Sequence, residues 1–329
     1  MKPFNPLLSL VSAAALLLGA SAKAEDSMRL VAIKAAPKEA AELRKALADP
    51  LHSTKSMTID TLAKRGMTVL GDFTETNPWR MESVKMTKIT GSLKAGGQIM
   101  KELGVVAAVE GGKFGTLTAD SLEAEIALSG KGQTYLSWGV MGNMAVIKSG
   151  VWRERAWWND GKDTFMLWQF PEVTAPGDPK RQGGGGNWDC VKVEMRWFQA
   201  NDADIEKINQ AAPENRDKAL EWLVGKAKLW KDCGFRARTG ERSMWHSLEV
   251  EMAMVDGDAA EIHEGLSLDG YFAGQEDNLR IEWDVEAPSK KKPTARFQLA
   301  APVKPGVWTF LPVKDVPFAN VVACRLTRE

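Results

Sequence analysis

Leu279-Arg-Ile-Glu-Trp-Asp-Val-Glu286 alternates four apolar with four charged side chains, and Leu248-Glu-Val-Glu-Met-Ala-Met254 keeps nearly the same rhythm upstream. A period of two sends successive side chains to opposite faces of an extended chain, so both stretches read as half-buried strands. Leu122, Ala124, Ile126 and Leu128, interleaved with Glu123 and Glu125, repeat the pattern in the first half. One polar face per strand favours antiparallel sheets over a buried parallel sheet. Helical spacing is confined to short segments: Pro37–Leu47 through Ala40, Leu43 and Leu47, and Asp202–Ala212 through Ile205 and Ile208. A third runs from a cap at Asn215 through Leu220, Leu223, Ala227 and Trp230 to a left-handed stop at Gly234. Its shorter equivalent in the first half starts at Ser56 or Thr58, passes Ile59 and Leu62 and stops at Gly66. The expected fold class is therefore α+β: an antiparallel-sheet module with one or two helices, present twice in tandem.

The duplication rests on landmarks that recur in order. Gly66 matches Gly234, Trp79 matches Trp245, Val84 and Met86 match Val250 and Met252, and Gly104 matches Gly265. Leu122 and Glu125 match Leu279 and Glu282, and Lys148-Ser-Gly-Val-Trp152 matches Lys304-Pro-Gly-Val-Trp308. Between the halves, residues 174–187 hold two prolines, five glycines and no large apolar side chain, the composition of a linker. The first 24 residues read as an export signal: Lys2, the apolar run Leu7–Ala20, then Ala22-Lys23-Ala24 as a cleavage site. No Cys lies near that junction to carry a lipid, and no later run approaches the roughly 20 apolar residues of a spanning helix. The expected organisation is thus a signal peptide over 1–24, module 1 over 25–173, the linker, and module 2 over 188–329. The mature chain is expected in the periplasm or outside the cell.

Together, the opening strand, the helix, the glycine-led alternating strands and the final strand after Lys304-Pro-Gly-Val-Trp308 resemble the β-rich C-terminal module of type II and III secretion secretins. The likeness covers most of each half. Ring-building N-terminal domains and an amphipathic membrane-lip hairpin are missing, and the module occurs twice. The resemblance implies an envelope protein that works by assembly or binding, and it brings no catalytic residues.

Composition narrows the chemistry further. The 43 Lys and Arg balance 43 Asp and Glu, so no global field draws nucleic acid. Three histidines, His52, His246 and His263, form no His-Glu-x-x-His, and Gly265-Leu-Ser267-Leu-Asp269 lacks the last glycine of a nucleophile elbow. Neither Gly183–Gly186 nor Gly111–Gly115 leads into a phosphate-binding helix. No metal ligand set and no cofactor motif emerges. Cys190, Cys233 and Cys324 contain no Cys-x-x-Cys, and leave open either one disulfide or three buried thiols. Glu282, Asp284 and Glu286 share a strand face, read as solvated carboxylates, with a two-carboxylate hydrolase as the alternative.

One compositional oddity remains, 13 Trp against 2 Tyr. Trp157 and Trp158 sit in a polar segment with Arg153, Arg155, Asn159 and Asp160, and their counterparts by repeat offset, Val313 and Lys314, are not aromatic. Neighbours on a strand face opposite ways, so one indole is expected to point away from the core, as a platform for a sugar ring or a partner's anchor. The expected function is an exported, non-catalytic scaffold or interaction module with a protein partner in the cell envelope. The alternative is a glycan- or peptide-binding protein or a carboxylate-dependent hydrolase built around that exposed Trp.

Overall fold

The computed structural model describes residues 26–48, 58–76, 84–95, 97–114, 117–146, 148–172, 190–255, 258–274, 279–314, 316 and 318–328. The expected signal peptide, the linker, His52 and Trp79 lie outside them. Of the described residues 64% are in strands and 15% are helical, in two antiparallel sheets of eight strands, which corrects the α+β expectation to a mostly-β fold. One source of the error is local. The helix expected to run to Trp230 ends at Val224 with Gly225 as its cap, and Lys228 already begins a strand that is paired on both sides. Tertiary pairing overrides helical spacing there.

Numbered along the chain, the strands of sheet A lie in the order β15 (Thr309–Pro312), β16 (Val321–Arg328), β9 (Cys190–Gln199), β10 (Lys228–Arg238), β7 (Arg153–Asn159), β8 (Thr164–Glu172), β1 (Ser27–Ala35), β2 (Thr68–Thr76). Sheet B runs β14 (Ala295–Val303), β13 (Leu279–Ala287), β12 (Asp258–Ala273), β11 (Ser243–Val255), β6 (Thr134–Val146), β5 (Leu117–Ser129), β4 (Gln98–Phe114), β3 (Val84–Ala95). Each half contributes four adjacent strands to each sheet, and the order within the second set repeats that within the first. The sets are joined where β10 pairs β7 and where β11 pairs β6, so both sheets run through both halves.

Some landmarks occupy matching places. Gly104 on β4 and Gly265 on β12 have φ of +148° and +152°, and a Cβ on either would collide with a backbone carbonyl, of Lys88 or of Ser247. Gly150 and Gly306 each donate N–H to a carbonyl of their half's last strand, and the Trp that follows each, Trp152 or Trp308, is buried. Gly66 and Gly234 do not match: Gly66 turns the chain after a helix, whereas Gly234 lies inside β10 opposite Trp157.

Inward-facing side chains of the two sheets share one core, including Leu30, Val105, Leu122, Trp138, Trp158, Trp197, Trp245 and Trp283. A charged group crosses it. Arg155 on β7 is fully buried and donates to Asp120 on β5, to Gln169 Oε1 on β8 at 2.6 Å and to Asn143 on β6. Helices cover sheet A from outside in two pads. Helix α1 (Pro37–Ala48) and α2 (Ile59–Lys64) pack over Val31, Ile33, Met166 and Trp168. Helix α3 (Asp202–Asn209) and α4 (Arg216–Val224) pack over Phe198, Val321 and Ala323. Thr58 caps α2 by accepting the N–H of Thr61, and Asn201 caps α3 by accepting that of Asp204.

Gly265→Ala would force a Cβ toward the Ser247 carbonyl at a φ that side chains avoid. It is expected to cost about 2 kcal/mol or more of unfolding free energy, read by denaturant titration, whereas Gly240→Ala, with open space around its Cβ, should cost less.

Candidate functional site

The six residues singled out from the sequence do not assemble into a surface site. Trp157 and Trp158 do face opposite ways, but both faces of sheet A are covered at that point. Trp157 points to the helix side, 3% exposed, with the Arg44 guanidinium 4.3 Å from its ring centroid. Its indole occupies the space that a side chain at Gly234 would fill. Trp158 points into the inter-sheet core, 2% exposed, and stacks on Phe165 at 4.8 Å. Arg155 belongs to the buried polar cluster, and burial lowers the guanidinium pKa of Arg153 to about 10. Asn159 and Asp160 shape the turn into β8: Asn159 Oδ1 accepts from Gly161 N–H, and Asp160 Oδ1 accepts from Lys162 and Asp163. The exposed-platform expectation is corrected accordingly. Trp157→Ala and Trp158→Ala should each cost about 3–5 kcal/mol in denaturant unfolding, the range for truncating a core indole.

Between the two helical pads, charged side chains cross the outer face of sheet A. Arg44 from α1 meets Glu154 at 2.6 Å, Arg325 on β16 meets Glu194 on β9 at 2.8 Å, and Lys192 stands 3.8 Å from both carboxylates. Burial by itself would raise Glu194, but Lys192 and Arg325 outweigh it and hold its pKa below the ordinary value. Asp232 on β10 goes the other way: burial dominates the opposing pull of Arg196 and Arg44 and pushes its pKa up to about 6. Arg196 is 3.3 Å away. The cations and anions here satisfy one another, and the belt ties α1 to the sheet. A carboxyl whose folded pKa lies above its unfolded value binds more protons when folded, so its contribution to stability falls as pH rises between about 4 and 6. Asp232→Asn should flatten the pH dependence of unfolding free energy across that window by roughly 1–3 kcal/mol.

Sheet B carries no helix on its outer face among the described residues. Its long strands coil, and Leu93, Leu103, Ala127, Tyr135 and Val250, all on that outer face, bury one another in a small second core. Three adjoining depressions cross the face. One of about 280 Å³ is lined by Ile89, Met100, Lys101 and Glu125. The next, about 460 Å³, shares Val106 and Glu125 and adds Met141, Met244 and His246. The third, about 580 Å³, shares Met244 and reaches Asp269, Asp284, Glu286 and Arg296. They form one trough from β3 to β14.

Polar groups in and beside the trough are paired. Lys101 Nζ is 2.7 Å from Glu125 Oε1, Tyr135 donates to Glu261 Oε1 at 2.9 Å, and His263 Nε2 lies 3.0 Å from Glu261 Oε2. Burial would raise Glu261, but its hydrogen bonds to His263 and Tyr135 hold it low. Asp269 is also held low, by hydrogen bonds from Arg242. Both stay charged at neutral pH and neither is a proton donor. The His246 ring packs over Gly139 with Nε2 3.0 Å from Ser137 Oγ, and burial lowers its pKa, which keeps it neutral. Glu286 and Glu282, from the acidic strand face, pair with Arg296 and Arg280.

Sequence reading passed over Tyr135 and Lys101, and weighed His246 and His263 only against a zinc-binding motif; His263 lies within β12. The period-two rule placed a signal at His246, the outward neighbour of the inward Trp245. Tyr135 and Lys101 join the site only through strand pairing. Among the described residues no group of His, Cys, Asp or Glu could hold a metal ion, and no helix is long and apolar enough to cross a membrane. Cys190, Cys233 and Cys324 are all buried and unbridged. No family model, curated protein or solved structure matches the chain, so the likeness to the secretin module stands on the sequence pattern alone.

Proposed function

We propose that the protein is an exported, non-catalytic interaction module of the cell envelope, and that it holds a segment of a partner protein in the trough of sheet B. The observation that carries this reading is the trough itself: a row of three adjoining depressions on the one sheet face that no described helix covers. Its lining suits a protein segment. Met100, Met141 and Met244 offer polarizable, adaptable contacts, and Ile89 and Met141 are 54% and 45% exposed. Charges of both signs along the rim provide register. A sugar chain would call for an exposed aromatic platform, and the two indoles that were candidates for it are buried. Hydrolysis by two carboxylates would need one of them protonated at neutral pH, whereas Asp269 and Glu261 are both held low. Export rests on the apolar run and Ala22-Lys23-Ala24.

The test is site-specific photo-crosslinking in whole cells. A photoreactive residue at Met141 or Met244 is expected to yield one discrete crosslinked protein, and one at Asn209 on the far side of the molecule should not. Met141→Glu should then weaken binding of that purified partner at least tenfold, about 1.4 kcal/mol, with stability unchanged. Absence of a crosslink from both trough positions would remove the reading.

A further inference from the structure

The junction between the halves defines what each edge strand left unpaired among the described residues would be able to pair with. Within the chain, Asp232–Phe235 of β10 pairs with Ala156–Asn159 of β7. By strand order β2 is the counterpart of β10, and β15 is the counterpart of β7. Successive copies placed end to end would therefore seat β15 of one against β2 of the next.

The β15 end is closed to such pairing. Trp152 corresponds to Trp308, and one residue is consumed by the irregularity between Glu154 and Ala156, so the place of Trp157 falls to Pro312. Val313 N–H bonds back to Asn320, which turns the Pro312 position outward, and proline has no N–H to give there. Pro302, also exposed, interrupts the neighbouring edge strand β14, and Lys290-Lys291-Lys292-Pro293 forms the turn that leads into it. Prolines and lysines at an edge are the usual means of preventing strand addition.

The β2 edge carries none of these. Thr-Val-Leu-Gly-Asp-Phe-Thr-Glu-Thr over Thr68–Thr76 has no Pro, Lys or Arg. Its inward side is unfinished: Phe73, which pairs with Leu30, is only half-buried against the inter-sheet core. Cys233 holds the equivalent place on β10, pairs with Met195, and with β7 beside it is fully buried. The outward side differs from β10. Where β10 has Gly234 to admit the Trp157 indole, β2 has Thr74, and two residues before it Asp72 is gripped through both oxygens by Arg29 at 2.8 and 2.7 Å.

We infer that β2 is an acceptor edge for strand addition, and that it takes an extended segment of another protein, apolar toward the core and polar opposite Thr74 and Asp72. A second copy of this chain does not supply that segment from β15, because Pro312 lacks the donor. The site lies apart from the trough and does not depend on it. Main-chain hydrogen bonds would give the affinity and the alternation of side chains the selectivity.

The probe is a synthetic peptide of residues 152–160 carrying Trp157→Thr, which keeps the β7 alternation and, in the register of the internal joint, presents a polar residue to Thr74 and Asn159 to Asp72. A control peptide carries Trp157→Pro and so copies the obstruction in β15. Hydrogen exchange of the full chain is followed with each peptide. With the threonine peptide at saturation, exchange at residues 68–76 is expected to slow at least tenfold while β14 and β15 are unchanged, and the proline peptide should have no effect. Equal protection by both peptides, protection elsewhere, or none would overturn the inference. Protection of 68–76 that rises with protein concentration alone, together with a dimer mass by light scattering, would assign the edge to a second copy and overturn it equally.

Discussion

Strand pairing across the middle of the molecule, β10 on β7 and β11 on β6, is the constraint from which the rest follows. It makes two sheets out of four strand sets and turns what reads as two modules into one structure with a single inter-sheet core. Arg155 stands beside this joint. A buried guanidinium loses its hydration, and replacing Arg155 together with Asp120 by apolar residues of similar volume would be tolerated at least as well energetically, whereas removing Arg155 alone would strand a buried carboxylate. What its bonds to Asp120, Asn143 and Gln169 supply is position, because they fix β7 and β8 of one sheet against β5 and β6 of the other. A slip of one residue in β7 would take the guanidinium out of reach of all three.

Much of the local structure was readable from residue spacing. In Leu279–Glu286 the apolar set Leu279, Ile281, Trp283 and Val285 is buried, while Arg280 and Asp284 face solvent. Thr58 and Gly66 bound a helix as their chemistry predicts. The errors arose where a neighbour in space decides. Gly234 looked like a helix stop because glycine favours that position, yet here it provides room for an indole arriving from another strand. The Trp157–Trp158 pair looked half-exposed because alternation guarantees opposite faces and cannot tell whether both faces are roofed. Fold class failed for a related reason: Gln98–Phe114 and Asp258–Ala273 lack regular alternation and are strands through pairing on both sides.

The trough was not legible at all. It draws on strands from both halves, from β3 to β14, and its polar members pair across sequence separations as large as that between Tyr135 and Glu261. Lys101 and Glu125 each look like ordinary surface charges within their own strands. They gain meaning only when the coiling of sheet B lets Leu93, Leu103 and Val250 bury one another beneath them. Among the described residues the molecule is thus asymmetric in its covering: the helical pads lie on sheet A, and the outer face of sheet B carries none.

The joint also sets a timetable. Strands β6 and β7 are both complete by residue 159, but their partners β11 and β10 lie about 70 or more positions further along the chain. A chain that emerges N-terminus first would complete the strands of its first half and then wait, with two long unsatisfied edges side by side, until the second half arrived. Loop closure over such separations is slow, and an open edge in the interval is a nucleus for aggregation. Passage through a secretion channel in the unfolded state would deliver both halves to the folding compartment before the edges form. For a protein joined through its middle in this way, the proposed export before folding would be a protective order of events as well as a route.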